Sequence, residues 1–368
     1  MIGAGAAGLA AAQALIAEGK SVVVLEKEAR LGEQWRRRHK NLRLNTHRSL
    51  STLPGASFPA GTGAFPSREA VIEMFESFAS LHALPIRFGA AAERIERDDE
   101  DWVVTAGATV LRATDLVVAT GRDARPFTPE WPGMASFKGR VVHAADFGEA
   151  KDYAGSSVLV VGAGNSGIDV LNHLVKAPTG QLWLGVRGSV AILPKRIASV
   201  AVHRFSPLLA RLPVRLADAV ISTTQRLVFG DLTRHGLPRP VAGAASRLHS
   251  ASVAIAADSG AVAGIRAGRI KVVPTVREFS GADVVLSDGS AIRPDVVIAA
   301  TGYRTGLEPL LGHLGVLDAQ GQPRFTGDES DPALPGLWFS NMRPDLRGCF
   351  TNARLQAREI AGKITRGR

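Results

Sequence analysis

Gly3-Ala4-Gly5-Ala6-Ala7-Gly8, opening the alanine-rich run that continues through Ala12, decides the fold. Its echo, Gly162-Ala163-Gly164-Asn165-Ser166-Gly167, decides that the fold occurs twice. In a strand–turn–helix unit the first glycine makes the tight turn, the second lets backbone approach a pyrophosphate, and the third lets helix pack on strand. The second run follows the strand-like Ser157-Val158-Leu159-Val160-Val161, and the two leading glycines stand 159 residues apart. One such match is weak; two, each followed by a strand ending in a residue able to read a ribose, are specific.

After the first loop, Ser21-Val22-Val23-Val24-Leu25 reads as a buried strand ending at Glu26, 23 residues beyond Gly3. A carboxylate there accepts hydrogen bonds from both adenosine ribose hydroxyls and repels a 2′-phosphate, which favours FAD or NAD. After the second loop, Leu182-Trp183-Leu184-Gly185-Val186 ends at Arg187, 25 residues beyond Gly162. A guanidinium in that place suits a 2′-phosphate, with Lys195 and Arg196 as helpers, so the second dinucleotide is expected to be NADPH.

A further pair of repeats supports the division. Asp115-Leu116-Val117-Val118 runs into Ala119-Thr120-Gly121, and Asp295-Val296-Val297-Ile298-Ala299 runs into Ala300-Thr301-Gly302. Both are buried strands ending in small residues that let backbone pass close to a neighbouring site, and they are read as the crossings between domains. The expected fold class is α/β, with two dinucleotide-binding Rossmann-like domains, one inserted into the other. The first is expected to span residues 1–150 and 291–368 and the second 151–290, with a helical insertion at about 200–260.

Composition leaves this reading intact. The 368 residues are 45% hydrophobic and 21% charged, as in a globular protein large enough for two cores. The net charge of +10 is read as scattered along the chain, with no nucleic-acid module visible, so nucleic-acid binding is not expected. Cys349 is the only cysteine, which excludes a Cys-x-x-Cys redox pair. No leader-like segment opens the chain, so a cytoplasmic location is expected. The apolar stretch at residues 205–229 is broken by Arg211, Arg215, Asp218 and Arg226; it is expected to cover a pocket rather than to meet a membrane. Oligomeric state is not legible.

These features together resemble the class B flavin-containing monooxygenases over nearly the whole chain. The most diagnostic segment is Phe137-Lys138-Gly139-Arg140-Val141-Val142-His143-Ala144-Ala145-Asp146-Phe147, which is similar to the family's Phe-x-Gly-x-x-x-His-x-x-x-Tyr/Phe signature. Phe147 in place of Trp separates it from Baeyer–Villiger enzymes. The blocks from Phe229 to Pro240 and from Arg269 to Pro274 resemble the YUCCA-type branch. The resemblance implies FAD and NADPH as cofactors, a C4a-hydroperoxyflavin, and transfer of one oxygen atom from O2 to a small organic substrate, by N- or S-oxygenation or by oxidative decarboxylation of an α-keto acid. An NADPH oxidase making hydrogen peroxide, and a non-catalytic flavoprotein binding module, stay open as alternatives.

The resemblance also places individual residues. Asn45 falls where these enzymes carry a polar side chain near the flavin's reactive edge, and is taken as the catalytic residue, with Thr46 beside it as a cofactor contact. Leu31-Gly32-Glu33-Gln34-Trp35 resembles the loop around the flavin, so Trp35 packs on cofactor or core. Thr120 and Gly121 complete the cofactor set with Gly3, Gly5, Gly8, Glu26, Gly162, Gly164, Asn165, Gly167 and Arg187. His143 is expected to be a structural histidine holding a turn, and no metal cluster is visible. Only Met1 and Ile2 stand before Gly3, where a first strand is needed, so residues upstream of Met1 are expected.

Overall fold

The computed structural model describes residues 1–367 and resolves the chain into two compact units. One comprises Met1–Arg37, Thr46–Arg125 and Tyr303–Arg368; the other comprises Arg38–Asn45 and Pro126–Gly302.

In the first unit two residues hold the place of a leading strand. Ile2 forms parallel bridges to both Leu25 and Val118. Its amide donates to the Val117 carbonyl at 2.9 Å, and its carbonyl accepts from the Ala119 amide at 2.8 Å. Then comes α1 (Ala6–Ala17), buried from Ala7 through Ala12, whose small side chains let it sink into the core. β1 (Val24–Leu25) follows; regular pairing covers only the last two residues of the stretch expected to be a strand. The short helix α2 (Glu33–Arg36) and α3 (Arg68–Leu81), capped by the Ser67 hydroxyl, lead to β2 (Ile86–Arg87), which pairs in parallel with β1. An antiparallel meander, β3 (Arg94–Asp98), β4 (Asp101–Ala106) and β5 (Thr109–Ala113), precedes β6 (Leu116–Val118).

The second unit carries β7 (Arg140–His143), β8 (Val158–Val161), α4 (Asn165–Leu174), β9 (Leu182–Val186), α5 (Val214–Phe229), α6 (Ala244–Ala251) and β10 (Ile270–Pro274). An antiparallel trio follows, β11 (Val276–Ser280), β12 (Asp283–Leu286) and β13 (Ala291–Ile292), and then β14 (Val296–Ala299). The main sheet is wholly parallel in the order β10-β9-β8-β14-β7. It is covered on both faces: Val158 and Val160 join one apolar cluster, Leu159 and Val161 the other. That is why β8 reads as continuous rather than alternating hydrophobics.

The chain then returns to the first unit with β15 (Leu337–Phe339), parallel to β6, and α7 (Cys349–Arg366), which packs along α1. The first sheet therefore runs β2-β1-Ile2-β6-β15, repeating the strand logic of the second.

The insertion of one unit into the other agrees with expectation, but the borders differ. Residues 38–45, 126–150 and 291–302, assigned by sequence to the outer domain, pack in the inner unit. The physical reason is pairing: β14 lies between β8 and β7, with Val297 opposite both Leu159 and Val141. Among the described residues no helix is long and apolar enough to cross a membrane.

Two candidate dinucleotide sites

Each unit presents a glycine loop at the carboxyl end of its parallel sheet, the place where such folds bind ligands. In the first, Gly3 has φ +98°, and a Cβ there would lie 2.6 Å from the Ala119 carbonyl oxygen. A Cβ at Gly8 would overlap the Gly3 carbonyl, whereas one at Gly5 would meet nothing within 4 Å. The second loop repeats this: Gly162 has φ +106° and abuts the Ala300 carbonyl, Gly167 abuts Gly162, and Gly164 faces open space. Two glycines in each loop are thus demanded by packing, and the middle one leaves a clear approach to backbone. The Leu9 amide is the first to find an intrahelical acceptor in α1, on Gly5 at 2.9 Å. The amides ahead of it lie at the positive end of the helix and suit phosphate oxygens.

Glu26 directs its carboxylate toward the first loop. Oε2 accepts from the Ala4 amide at 2.8 Å and Oε1 from the Glu28 amide at 3.0 Å. Both bonds fix the side chain while leaving lone pairs for ribose hydroxyls. Thr120, just past β6, has a buried hydroxyl with no hydrogen-bond partner among the described residues, and so does Ser340, just past the neighbouring β15. Buried orphan hydroxyls at adjacent strand ends are the expected mark of a polar ligand's place. Ser340 escaped sequence reading because it stands in no motif; only its burial and strand register reveal it. Gly121 follows with φ +82° and open surroundings. Trp35 packs edge-on to Phe75 at 6.5 Å and beside Phe350 at 6.3 Å. Thr46 Oγ1 hydrogen-bonds Ser51 Oγ at 2.6 Å.

In the second unit β9 delivers Arg187 to the surface, exposed and without a side-chain partner among the described residues, and Gly188 beside it adjoins open space. The Arg196 guanidinium donates to the Ser199 carbonyl at 2.9 Å. Burial pushes the Lys195 ammonium below its ordinary pKa, with Asp169 opposing the shift. Asp169, on α4, also faces His39 Nε2 at 3.4 Å and, one helical turn on, His173 Nε2 at 4.0 Å; only folding brings the distant His39 to this i,i+4 pair. Asn45 is grouped here with the second loop: its Nδ2 donates to Asn165 Oδ1 at 3.2 Å, and its own Oδ1 is buried without a partner among the described residues.

Three residues of the signature segment, Phe137, His143 and Phe147, make packing and hydrogen-bond contacts within the second unit. Phe137 packs on Phe279 at 4.9 Å, and Phe147 stacks on Tyr153 at 5.2 Å. His143 Nδ1 accepts from the Ala145 amide at 3.0 Å, which leaves the proton on Nε2 to be donated to the Gly302 carbonyl at 3.0 Å. Both nitrogens are satisfied, and burial holds the ring below the usual histidine pKa.

Two Rossmann-like units, each with an open glycine loop followed by a ribose-reading position, define a two-dinucleotide oxidoreductase. Residues 1–189 match the family model described as pyridine nucleotide-disulphide oxidoreductase. The chain is 34% identical to the indole-3-pyruvate monooxygenase YUCCA1 of Oryza sativa subsp. japonica, over 86% of this chain and 79% of that protein. It is 31% identical to the probable indole-3-pyruvate monooxygenase YUCCA7 of Arabidopsis thaliana, over 98% and 86%. Its fold superposes on the flavin-containing monooxygenase from Stenotrophomonas maltophilia with a TM-score of 0.73 and 25% identity, covering 98% of this chain and 97% of that one. The chain belongs to the YUCCA-type flavin monooxygenases within the pyridine nucleotide-disulphide oxidoreductase family. It is an FAD- and NADPH-dependent monooxygenase acting with O2 on a small molecule.

Proposed function

We propose that the first unit holds FAD and the second NADPH, and that the oxygenated substrate is an α-keto acid with an aryl side chain, cleaved by oxidative decarboxylation. The contrast between Glu26 and Arg187 carries the cofactor assignment; the relatives acting on indole-3-pyruvate support the substrate class. When bound, the flavin accepts reducing equivalents from NADPH and delivers one atom of O2. The chain's own work is to bind, orient and exclude water. Gly5 and Gly164 leave room for the pyrophosphates, and the leading amides of α1 and α4 hydrogen-bond them. Glu26 accepts from the FAD ribose, and Thr120 and Ser340 donate their orphan hydroxyls to FAD oxygens, with Gly121, Thr46 and Trp35 completing the surround. Arg187 pairs with the 2′-phosphate. The buried Asn45 Oδ1 takes a donor from the ligand, and Asn165 holds that amide in place. The reading places the enzyme in the cytoplasm, where NADPH is regenerated.

The test supplies FAD-loaded protein with NADPH, indole-3-pyruvate and ¹⁸O2. The expected balance is one NADPH and one O2 consumed per CO2 released, with one ¹⁸O in the new carboxylate and the other in water. NADPH oxidation matched by hydrogen peroxide, with the keto acid untouched, would contradict the substrate assignment.

A further inference from the structure

The positive charge of the chain is not scattered. Residues 195–247 carry nine Lys and Arg against two Asp, a net +7 within a total of +10, leaving +3 for the other 315 residues. Both acidic side chains are occupied at helix starts. Asp218 accepts from the Ala245 and Ser246 amides at 2.6 and 3.1 Å, and Asp231 from the Thr233 amide at 3.0 Å.

The same stretch exposes large apolar side chains. On α5, Leu216 is 55%, Val220 47% and Leu227 81% accessible. With Thr223 they fall at i, i+4, i+7 and i+11, one line along the helix. Arg215 and Arg226 stand one residue before Leu216 and Leu227, both exposed. The opposite face is already used: Ala217, Ile221 and Phe229 are buried, and Ile221 and Gln225 help line a cavity of about 440 Å³, at whose edge the exposed Arg226 also stands. The helix does cover a pocket, as the sequence suggested, yet it keeps a second apolar face. Upstream, Phe205 and Leu208 are likewise 60% and 64% accessible. A line of large apolar side chains left to water on one helix face marks an interaction site.

We propose that this face rests on an anionic bilayer surface. α5 lies in the interface plane, with Leu216, Val220 and Leu227 among the acyl chains and Arg215 and Arg226 at the lipid phosphates. Its 16 residues are too few to span, so it lies on the membrane and does not cross it. Charge selects the occupant. Two copies meeting through this face would set Arg215 and Arg226 of one against those of the other, within segments of net +7 each, whereas anionic headgroups neutralise the arginines and acyl chains receive the leucines. The inference is independent of the cofactor assignment.

FAD-loaded protein is sedimented with sucrose-loaded vesicles of phosphatidylcholine alone and of phosphatidylcholine mixed with phosphatidylglycerol. Binding is expected on the mixed vesicles, weakening with salt, and little on the neutral ones. The double variant Leu216→Glu/Leu227→Glu should lower the partition coefficient roughly a hundredfold, since each leucine loses the transfer of a full side chain. Arg215→Glu/Arg226→Glu should erase the advantage of anionic lipid. Both variants change solvent-exposed positions, so flavin absorbance and unfolding temperature should match wild type. Equal partition of wild type and the leucine variant would overturn the proposal, as would failure to bind mixed vesicles. So would a wild-type dimer that the leucine variant converts to monomer without any vesicle binding, or capture of duplex DNA in place of vesicles.

Discussion

Arg187→Ala removes an exposed guanidinium at the end of β9 that has no side-chain partner among the described residues. Nothing in the fold is lost with it, so the effect falls on the ligand. A hydrogen bond to a charged group contributes about 1.5–3 kcal/mol, and each 1.4 kcal/mol is about tenfold in affinity. The neighbours compensate little: Arg196 is engaged with the Ser199 carbonyl, and burial already disfavours the charge on Lys195. NADPH should therefore lose roughly ten- to a hundredfold in the flavin-reduction step, while NADH, lacking the phosphate, hardly changes. Arg187→Lys should recover part of the loss, because an ammonium keeps the charge but not the bidentate fork. The assay is anaerobic stopped-flow bleaching of the flavin with each nicotinamide, read as the ratio of their second-order rate constants in wild type and variant. An unmoved ratio, or a wild type that already prefers NADH, would refute the reasoning.

Glu26→Gln leaves one carboxamide oxygen to serve two amides, Ala4 and Glu28, so one buried donor goes unpaired. At about 1–3 kcal/mol the FAD dissociation constant should rise roughly tenfold or more, and equilibrium dialysis showing no change would remove Glu26 from the site. Gly139→Ala would set a Cβ 2.6 Å from both the Asp295 carbonyl and the Phe137 ring, forcing β7 away from β14. It should cost about 2 kcal/mol or more, and a wild-type unfolding temperature would contradict that geometry. The rings of buried His143 and half-buried His173 both have lowered pKa values, chiefly through desolvation. Below about pH 6.5 the unfolded chain takes up protons that the folded chain does not, so stability is full above that pH and declines as pH falls toward the lowered folded values. Denaturant midpoints at pH 7.5 and 5.5 check the sign: an unchanged or higher midpoint at the lower pH would show that protonation of His143 does not disturb its bond from Ala145.

Both glycine loops were legible because their geometry is local: a positive φ at the first glycine and a carbonyl where the third would place a side chain admit only glycine. The places of Glu26 and Arg187 at strand ends were legible for a related reason, since the end of the second strand lies at a fixed distance along a strand–helix–strand unit. The domain borders were not, because β7 and β14 join the inner sheet through pairings separated by more than a hundred residues, and nothing near either strand names its partner. Ser340 and the trio of His39, Asp169 and His173 are likewise assembled only by folding. The outer face of α5 was not legible because arginines interrupt the stretch in sequence, although on the helix they flank the line of Leu216, Val220 and Leu227.

The central claim is that two alike loops serve two unlike dinucleotides, and Gly5 and Gly164 allow it to be tested without disturbing the fold. Each has extended backbone at negative φ, and a Cβ at either would meet no atom within 4 Å beyond its chain neighbours. Gly5→Val and Gly164→Val should therefore fold normally and block only the approach of a pyrophosphate. The measurement is the binding stoichiometry of FAD and of NADP+ on each purified variant. Gly5→Val is predicted to lose FAD, and Gly164→Val to keep one FAD per chain and lose NADP+. Loss of the same nucleotide in both variants, or of FAD from Gly164→Val alone, would contradict the account.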